Sequence, residues 1–387
     1  MKRTWPIATD RGILNARWSM FAESQSKREL FRETRDRKVT SRYSSLDEPG
    51  RKQPPLSAII GGDPMPPVSR YGSRSFDRHW VIKDARLGDF MRPVLWQVHG
   101  ERQVYLTSLL TDTLGDGPAA TVTAEVPDLH HFSGRGGKDV IPLWRDKVAS
   151  RPNVVTGLLD ILSDAYDMQV GAEDLFAYAY AVLAAVSYVE LFRDELTGDC
   201  PRVPITRDPS LFRQGAAIGR SLVHLHTYGE RLSSSGTEPK GRAKLVLPIP
   251  TTEANYPASF SYDGESATLR VGDGEIWPVA SEVWSFSISG LEAIHSWLGY
   301  RMLNPSGRSS SPLDSIGPRT WPIEFTQELL SLLWTLEATI EVQPELERFL
   351  LAVSSSPTIP ASELPEPSVA ERQPPESGRN LAQLSLV

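Results

Sequence analysis

Residues 70–93 read RYGSRSFDRHWVIKDARLGDFMRP, with five arginines and one lysine set among Tyr71, Phe76, His79 and Trp80. Arginine offers a planar fork of donors that fits phosphate oxygens and the O6/N7 edge of guanine. Neighbouring aromatic rings add stacking surface. Two readings stay open on these residues. The stretch is either a nucleic-acid contact surface or a solvated, salt-bridged edge strand, because Asp77, Asp84 and Asp89 partly neutralise it.

Working outward, HWVI, VLWQV, QVYLTSLL and ATVTAEV follow between residues 78 and 126, separated by Gly and Asp turns. Such spacing predicts an antiparallel sheet. On the N-terminal side, residues 46–69 are rich in Pro, Gly and Ser and read as a linker. Before them, ESQSKRELFRETRDRK (23–38) is charged and helix-prone, with Leu30 and Phe31 as its strong apolar anchors. Residues 1–45 therefore read as a boundary segment whose helix is either solvated or docks on a partner.

Beyond residue 150 the pattern turns helical. VVTGLLDILSDAYDM (154–168), AEDLFAYAYAVLAAVSYVELFRDEL (172–196) and a third segment at 208–232 carry apolar residues at helical spacing. They predict an α-helical subdomain at 153–232. KLVLPIP, ASFSYDG, TLRVGDG and EVWSFSIS then predict short strands. Helices are expected at 290–303 and 323–353, the second kinked or broken by Pro344. Residues 354–387 combine Pro, Ser and Glu without an apolar period and read as disordered. The fold class is α+β: a sheet-rich N-terminal lobe, a central helical bundle, a second small β-sheet with closing helices, and a disordered C-terminal tail.

The 387 residues are 40% hydrophobic, enough for two or three packed units. Net charge is -7, but residues 1–150 hold 24 lysines and arginines against 18 acids, so the N-terminal part is +6 and the remainder -13. An acidic total is compatible with one basic face. Cys200 is the single cysteine, which excludes a disulfide framework and a thiolate metal site. No apolar run is long enough for a membrane-spanning helix. MKRTWPIATDRG lacks the apolar centre of a secretory signal, so a cytoplasmic protein is expected.

The residues support no catalysis by this chain alone. FSGRG (132–136) matches the F-x-G-x-G loop that holds S-adenosylmethionine in methyltransferases, yet PDLHH precedes it and no helical face follows. The [DNS]-P-P-[YFW] tetrapeptide of amino methyltransferases is missing. No cofactor is expected in this chain. The loop itself is either a glycine turn or an anion contact, with Arg135 and Lys138 supplying charge. His224 and His226 lie two apart on a helix, and His130 and His131 are adjacent, so neither pair converges on a metal. The single E-x-K, Glu238-Pro239-Lys240, falls in a flexible connector, and a G-x-S-x-G elbow is lacking. In WLGYR (297–301) the first two residues suit a core, while Tyr300 and Arg301 are free to project outward. Arg308 sits among hydroxyls in NPSGRSSS, which suits phosphate contact or a plain surface loop.

Seven elements in order carry a family resemblance: RSFDR (74–78), PDLHHFSGRGG (127–137), AEDLFAYAYAVL (172–183), PRVPIT (201–206), LVHLHTYGERL (222–232), FSISGLEAIHSWLGYR (286–301) and SPLDSI (311–316). Over roughly residues 15–355 the chain resembles the C-terminal target-recognition domains of type ISP restriction-modification enzymes and related N6-adenine DNA methyltransferases. The resemblance implies that residues 70–353 form a specificity domain that reads a short DNA sequence and presents an adenine to a methyltransferase domain. It also implies double-stranded DNA and that catalytic domain or subunit as partners, with S-adenosylmethionine bound on the latter and no membrane role. Met1 so close to the boundary helix suggests a separate reading frame or a truncated gene. Arg70, Arg74, Arg78 and Arg86 become candidates for base-edge or phosphate contact, Arg135, Lys138, Arg301 and Arg308 for backbone contact, and Tyr71 and Tyr300 for DNA binding. An atypical complete methyltransferase and a protein-interaction module of a defence system remain as alternatives.

Overall fold

A computed structural model describes residues 4–132, 134, 139–232, 240–307 and 309–375. The chain opens with β1 (Ile7–Ala8), α1 (Arg11–Glu23) and α2 (Lys27–Phe31). Asp10 caps α1 by accepting from the Ile13 N–H at 3.1 Å, which satisfies one of the donors a helix start leaves open. Ile13, Leu14, Trp18 and Phe21 recur at helical spacing and are buried with Trp5, Phe31, Leu56 and Leu313. The expected helix over 23–38 shrinks to five residues, because Arg32 takes the left-handed conformation at φ +52°. Leu30 and Phe31 find their partner inside this chain. Leu46, Leu56 and Ile59 are likewise buried, so the Pro-rich segment at 46–69 is irregular chain laid on a core.

The opening stretch folds as a hairpin, β2 (Val68–Arg74) and β3 (Asp77–Ile82), in a sheet of order β1-β3-β2. VLWQV, expected as a strand, is instead α3 (Pro93–Val98). Pro93 at the first helical turn explains this, since its fixed φ starts a helix and its missing N–H costs nothing there. A second antiparallel sheet, β4 (Tyr105–Ser108), β5 (Ala120–Thr123) and β6 (Val140–Pro142), has order β5-β4-β6. Every residue of β4 and β5 is buried.

Helices α4 (Leu158–Tyr166), α5 (Ala172–Ala184), α6 (Ser187–Leu191) and α7 (Pro209–His226) form the central unit. Helices α5 and α7 cross closely: a Cβ on Gly219 would stand 1.8 Å from the Ala177 carbonyl oxygen. A four-stranded antiparallel sheet follows, with β7 (Lys244–Leu247), β8 (Phe260–Asp263), β9 (Thr268–Val271) and β10 (Gly274–Trp277) in the order β7-β10-β9-β8. EVWSFSIS, expected as one strand, divides into α8 (Ser281–Trp284) and β11 (Ser287–Ile288). β12 (Leu291–Glu292) and α9 (Ala293–Gly299) lead to α10 (Ile323–Ser355). α10 runs through Pro344 unbroken, because Leu332, Leu333 and Leu336 before it and Leu346, Phe349 and Leu350 after it are all buried in one core.

The chain does not leave the body after Ser355. Thr358 bridges Thr206, Ile359 is buried, and Arg207 pairs with Glu363 at 2.5 Å. Arg145 donates to the carbonyls of Glu371 and Gln373. Of the segment read as a disordered tail, residues 356–375 lie against the body, and residues 376–387 lie outside the described residues. The β2–β3 hairpin ties the molecule together. Phe76 enters the largest core, Ile82 the N-terminal one, and Tyr71 and Val81 a third one with Leu95, Trp96 and Tyr105.

Candidate nucleic-acid interface

Cross-strand pairing of Arg70 with Trp80 and Gly72 with Arg78 puts these residues on one face of the hairpin, and Tyr71 with His79 on the other. A register shift between Gly72 and Arg74 re-aims the end of β2. The turn is Ser75-Phe76, with Phe76 at φ +62°, a conformation that costs an L residue energy unless packing enforces it. Here the Phe76 ring meets His226 and Phe286 edge-on, and the Tyr228 hydroxyl donates to the Phe76 carbonyl at 2.7 Å. The Ser75 N–H donates to the His131 carbonyl at 2.7 Å. The tip is held rigidly.

Three arginines stand on this support in the same manner, each over a ring and beside a carboxylate. Arg70 lies 4.3 Å from the Trp80 centroid and 2.7 Å from Glu328. Arg74 lies 5.3 Å from the Tyr300 centroid, donates to its hydroxyl at 2.6 Å, and stands 3.9 Å from Asp128. Arg78 lies 4.1 Å from the Tyr228 centroid and 2.7 Å from Glu230. Their side chains remain 20–27% exposed. Stacking fixes each guanidinium plane, so little rotamer freedom is lost when its edge meets a planar acceptor.

Beneath them lies a buried ionic network. Arg301 donates to Asp77 at 2.9 Å, stands 3.5 Å from Glu328 and covers the Trp297 ring at 3.7 Å. Asp77 also bonds His79 at 2.9 Å. Burial pushes the Asp77 carboxyl up, but Arg301 and His79 outweigh it and hold it well below the usual range. Burial lowers His79, against the pull of Asp77. Glu125 behaves oppositely. Burial and then Glu230 raise it to about 7, while Arg78, Arg231 and Arg70 resist.

The structure thus brings Arg70, Arg74, Arg78 and Tyr300 together. Three other candidate contacts are buried. Tyr71 is buried with its hydroxyl on Asp128. Arg86 is buried with its fork on Asp84 and one arm on the Pro54 carbonyl. Arg301 has no exposed side-chain surface. Reaching any of the three would require uncovering a paired group inside the protein. Arg135, Lys138 and Arg308 lie outside the described residues. The acceptors Glu328, Glu230 and Asp128, and the ring of Tyr228, were missed as site residues. Glu328 is 258 positions from Arg70, and no local pattern announces such a partner.

Residues 1–332 match the family described as the Type ISP C-terminal specificity domain. Two solved structures share the fold. One is the ATP-dependent Type ISP restriction-modification enzyme LlaBIII bound to DNA, with TM-score 0.59, 13% identity, and coverage of 88% of this chain and 22% of that one. The other is a cryo-EM DrdV–DNA complex, with TM-score 0.57, 16% identity, and coverage of 91% and 34%. The chain thus spans between a fifth and about a third of the length of those proteins. No curated protein matches it. Because the family match covers most of the sequence, from the boundary helix into α10, the chain belongs to the Type ISP C-terminal specificity domain family.

Proposed function

We propose that this chain is a DNA target-recognition module. It reads a short duplex sequence for a restriction-modification enzyme and carries no catalytic centre of its own. The observation that carries this reading is the triplet of half-buried arginines set against rings on one hairpin, two of them, Arg70 and Arg78, paired with a carboxylate that a phosphate or a guanine edge would replace. The adenine would be presented to a methyltransferase domain elsewhere, which would hold S-adenosylmethionine. Among the described residues no helix is long and apolar enough to cross a membrane, and we place the protein in the cytoplasm with its DNA.

Duplex binding measured against salt tests the reading. Each arginine that neutralises a phosphate contributes up to about 0.9 to the slope of log affinity on log salt. Arg74→Ala and Arg78→Ala should weaken binding and flatten that slope, or relax sequence preference by roughly 1–3 kcal/mol where the residue meets a base. Arg242→Ala, on an exposed pair with Glu341, is the control. Equal binding by the parent and all three variants would overturn the assignment of the hairpin.

A further inference from the structure

The end of β3, α3 and the loops around residues 46 and 147 enclose a cavity of about 320 Å³. That volume suits a small organic ligand. Its walls hold Lys83, Lys147 and Arg231 against Asp47 and Glu101. Asp47 is already ion-paired with Lys83. Arg231 is anchored by its Nε on the Gln103 carbonyl at 2.9 Å. Lys147 is brought to the rim by a tight approach, since a Cβ on Gly100 would lie 2.1 Å from the Lys147 carbonyl oxygen. Trp96 also lines the cavity, and it is 4% exposed with an indole N–H that meets no acceptor. Buried donors nearly always have a partner. Burial, and then Arg231, Lys83 and Lys147, lower His99 to about 4, so the imidazole is neutral at pH 7 in a positive field.

We propose that this cavity binds the phosphate of a nucleotide, with Lys83, Lys147 and Arg231 as donors and Trp96 as part of the wall. The phosphate belongs either to a DNA strand, in which case the inference rests on the recognition role proposed above, or to a free mononucleotide. The volume leaves room for a sugar beside the anion.

The test is NMR of the full chain with labelled tryptophan indoles, where Trp96→Phe identifies one resonance among those of ten tryptophans. Adenosine monophosphate, inorganic phosphate and a DNA duplex are titrated separately, with duplex binding followed in parallel by fluorescence anisotropy. A shift of the Trp96 resonance is expected, and Lys147→Glu, an exposed substitution, should weaken the ligand by roughly five-fold or more without moving the thermal midpoint. A shift with duplex identifies the strand as source, and a shift with mononucleotide alone identifies the free nucleotide. If none of the three moves the Trp96 resonance, the cavity proposal is overturned even where anisotropy shows DNA binding. If anisotropy shows no DNA binding while adenosine monophosphate shifts the resonance, the recognition role fails and the cavity stands.

Discussion

Glu328 accepts from Arg70 at the surface and neighbours Arg301 in the interior, while Asp77 closes the set from the hairpin turn. Removing one member strands a charge without water. Asp77→Ala should therefore cost roughly 3–5 kcal/mol in urea unfolding. Because the Asp77 carboxyl is held low, its stabilisation is present above the ordinary carboxylate pKa and is lost as pH falls through the depressed value. Glu125 runs the other way. Raised to about 7, it keeps a proton that the unfolded chain has released between about 4.5 and 7, so its contribution is full below 4.5 and gone above 7. Glu125→Gln should gain on the parent as pH rises from 5 to 8, by on the order of 3 kcal/mol at about 1.4 per unit. Parallel pH curves would show that Glu125 titrates normally. At this scale the sequence was half legible. RSFDR marked Arg74 and Arg78, but whether an arginine faces solvent depends on partners far away, and Arg301 meets Asp77 across 224 positions.

Elements followed the sequence where one period dominated. The helices of the central unit appeared near their expected places because their apolar residues recur at a single spacing. VLWQV misled because a short, mostly apolar run of five residues fits a strand or one helical turn, and Pro93 decided between them. Pro344 misled because a local rule was overruled by packing on both of its sides. The α5–α7 crossing is the tightest of these element contacts to challenge. Gly219→Ala places a methyl 1.8 Å from a backbone oxygen that cannot rotate away, so the helices must separate. A loss of about 1–3 kcal/mol is expected in thermal or urea melts. An unchanged midpoint would mean that the two helices sit farther apart in solution.

Across the whole molecule, composition located the uneven charge and periodicity the helical and sheet-rich regions, while the contacts of residues 356–375 depend on partners far along the chain. Pro, Ser and Glu cannot build a core, but one buried isoleucine, one backbone bridge and two arginine anchors suffice to lay a segment on an existing one. Deleting residues 356–387 should lower the thermal midpoint by several degrees, since burying an Ile side chain alone is worth about 1.5–3 kcal/mol. The ring-and-carboxylate seats of Arg70, Arg74 and Arg78 bear on how the whole domain would respond to its medium. On the proposed role, Arg70 and Arg78 would arrive at DNA already holding an anion, so docking would be an exchange of ligands on a fixed cation. The Glu328 and Glu230 carboxylates so released would take up cations from solution, which would offset part of the ion release from the duplex. A reader built this way keeps more of its grip in a salty cell than its count of arginines would suggest.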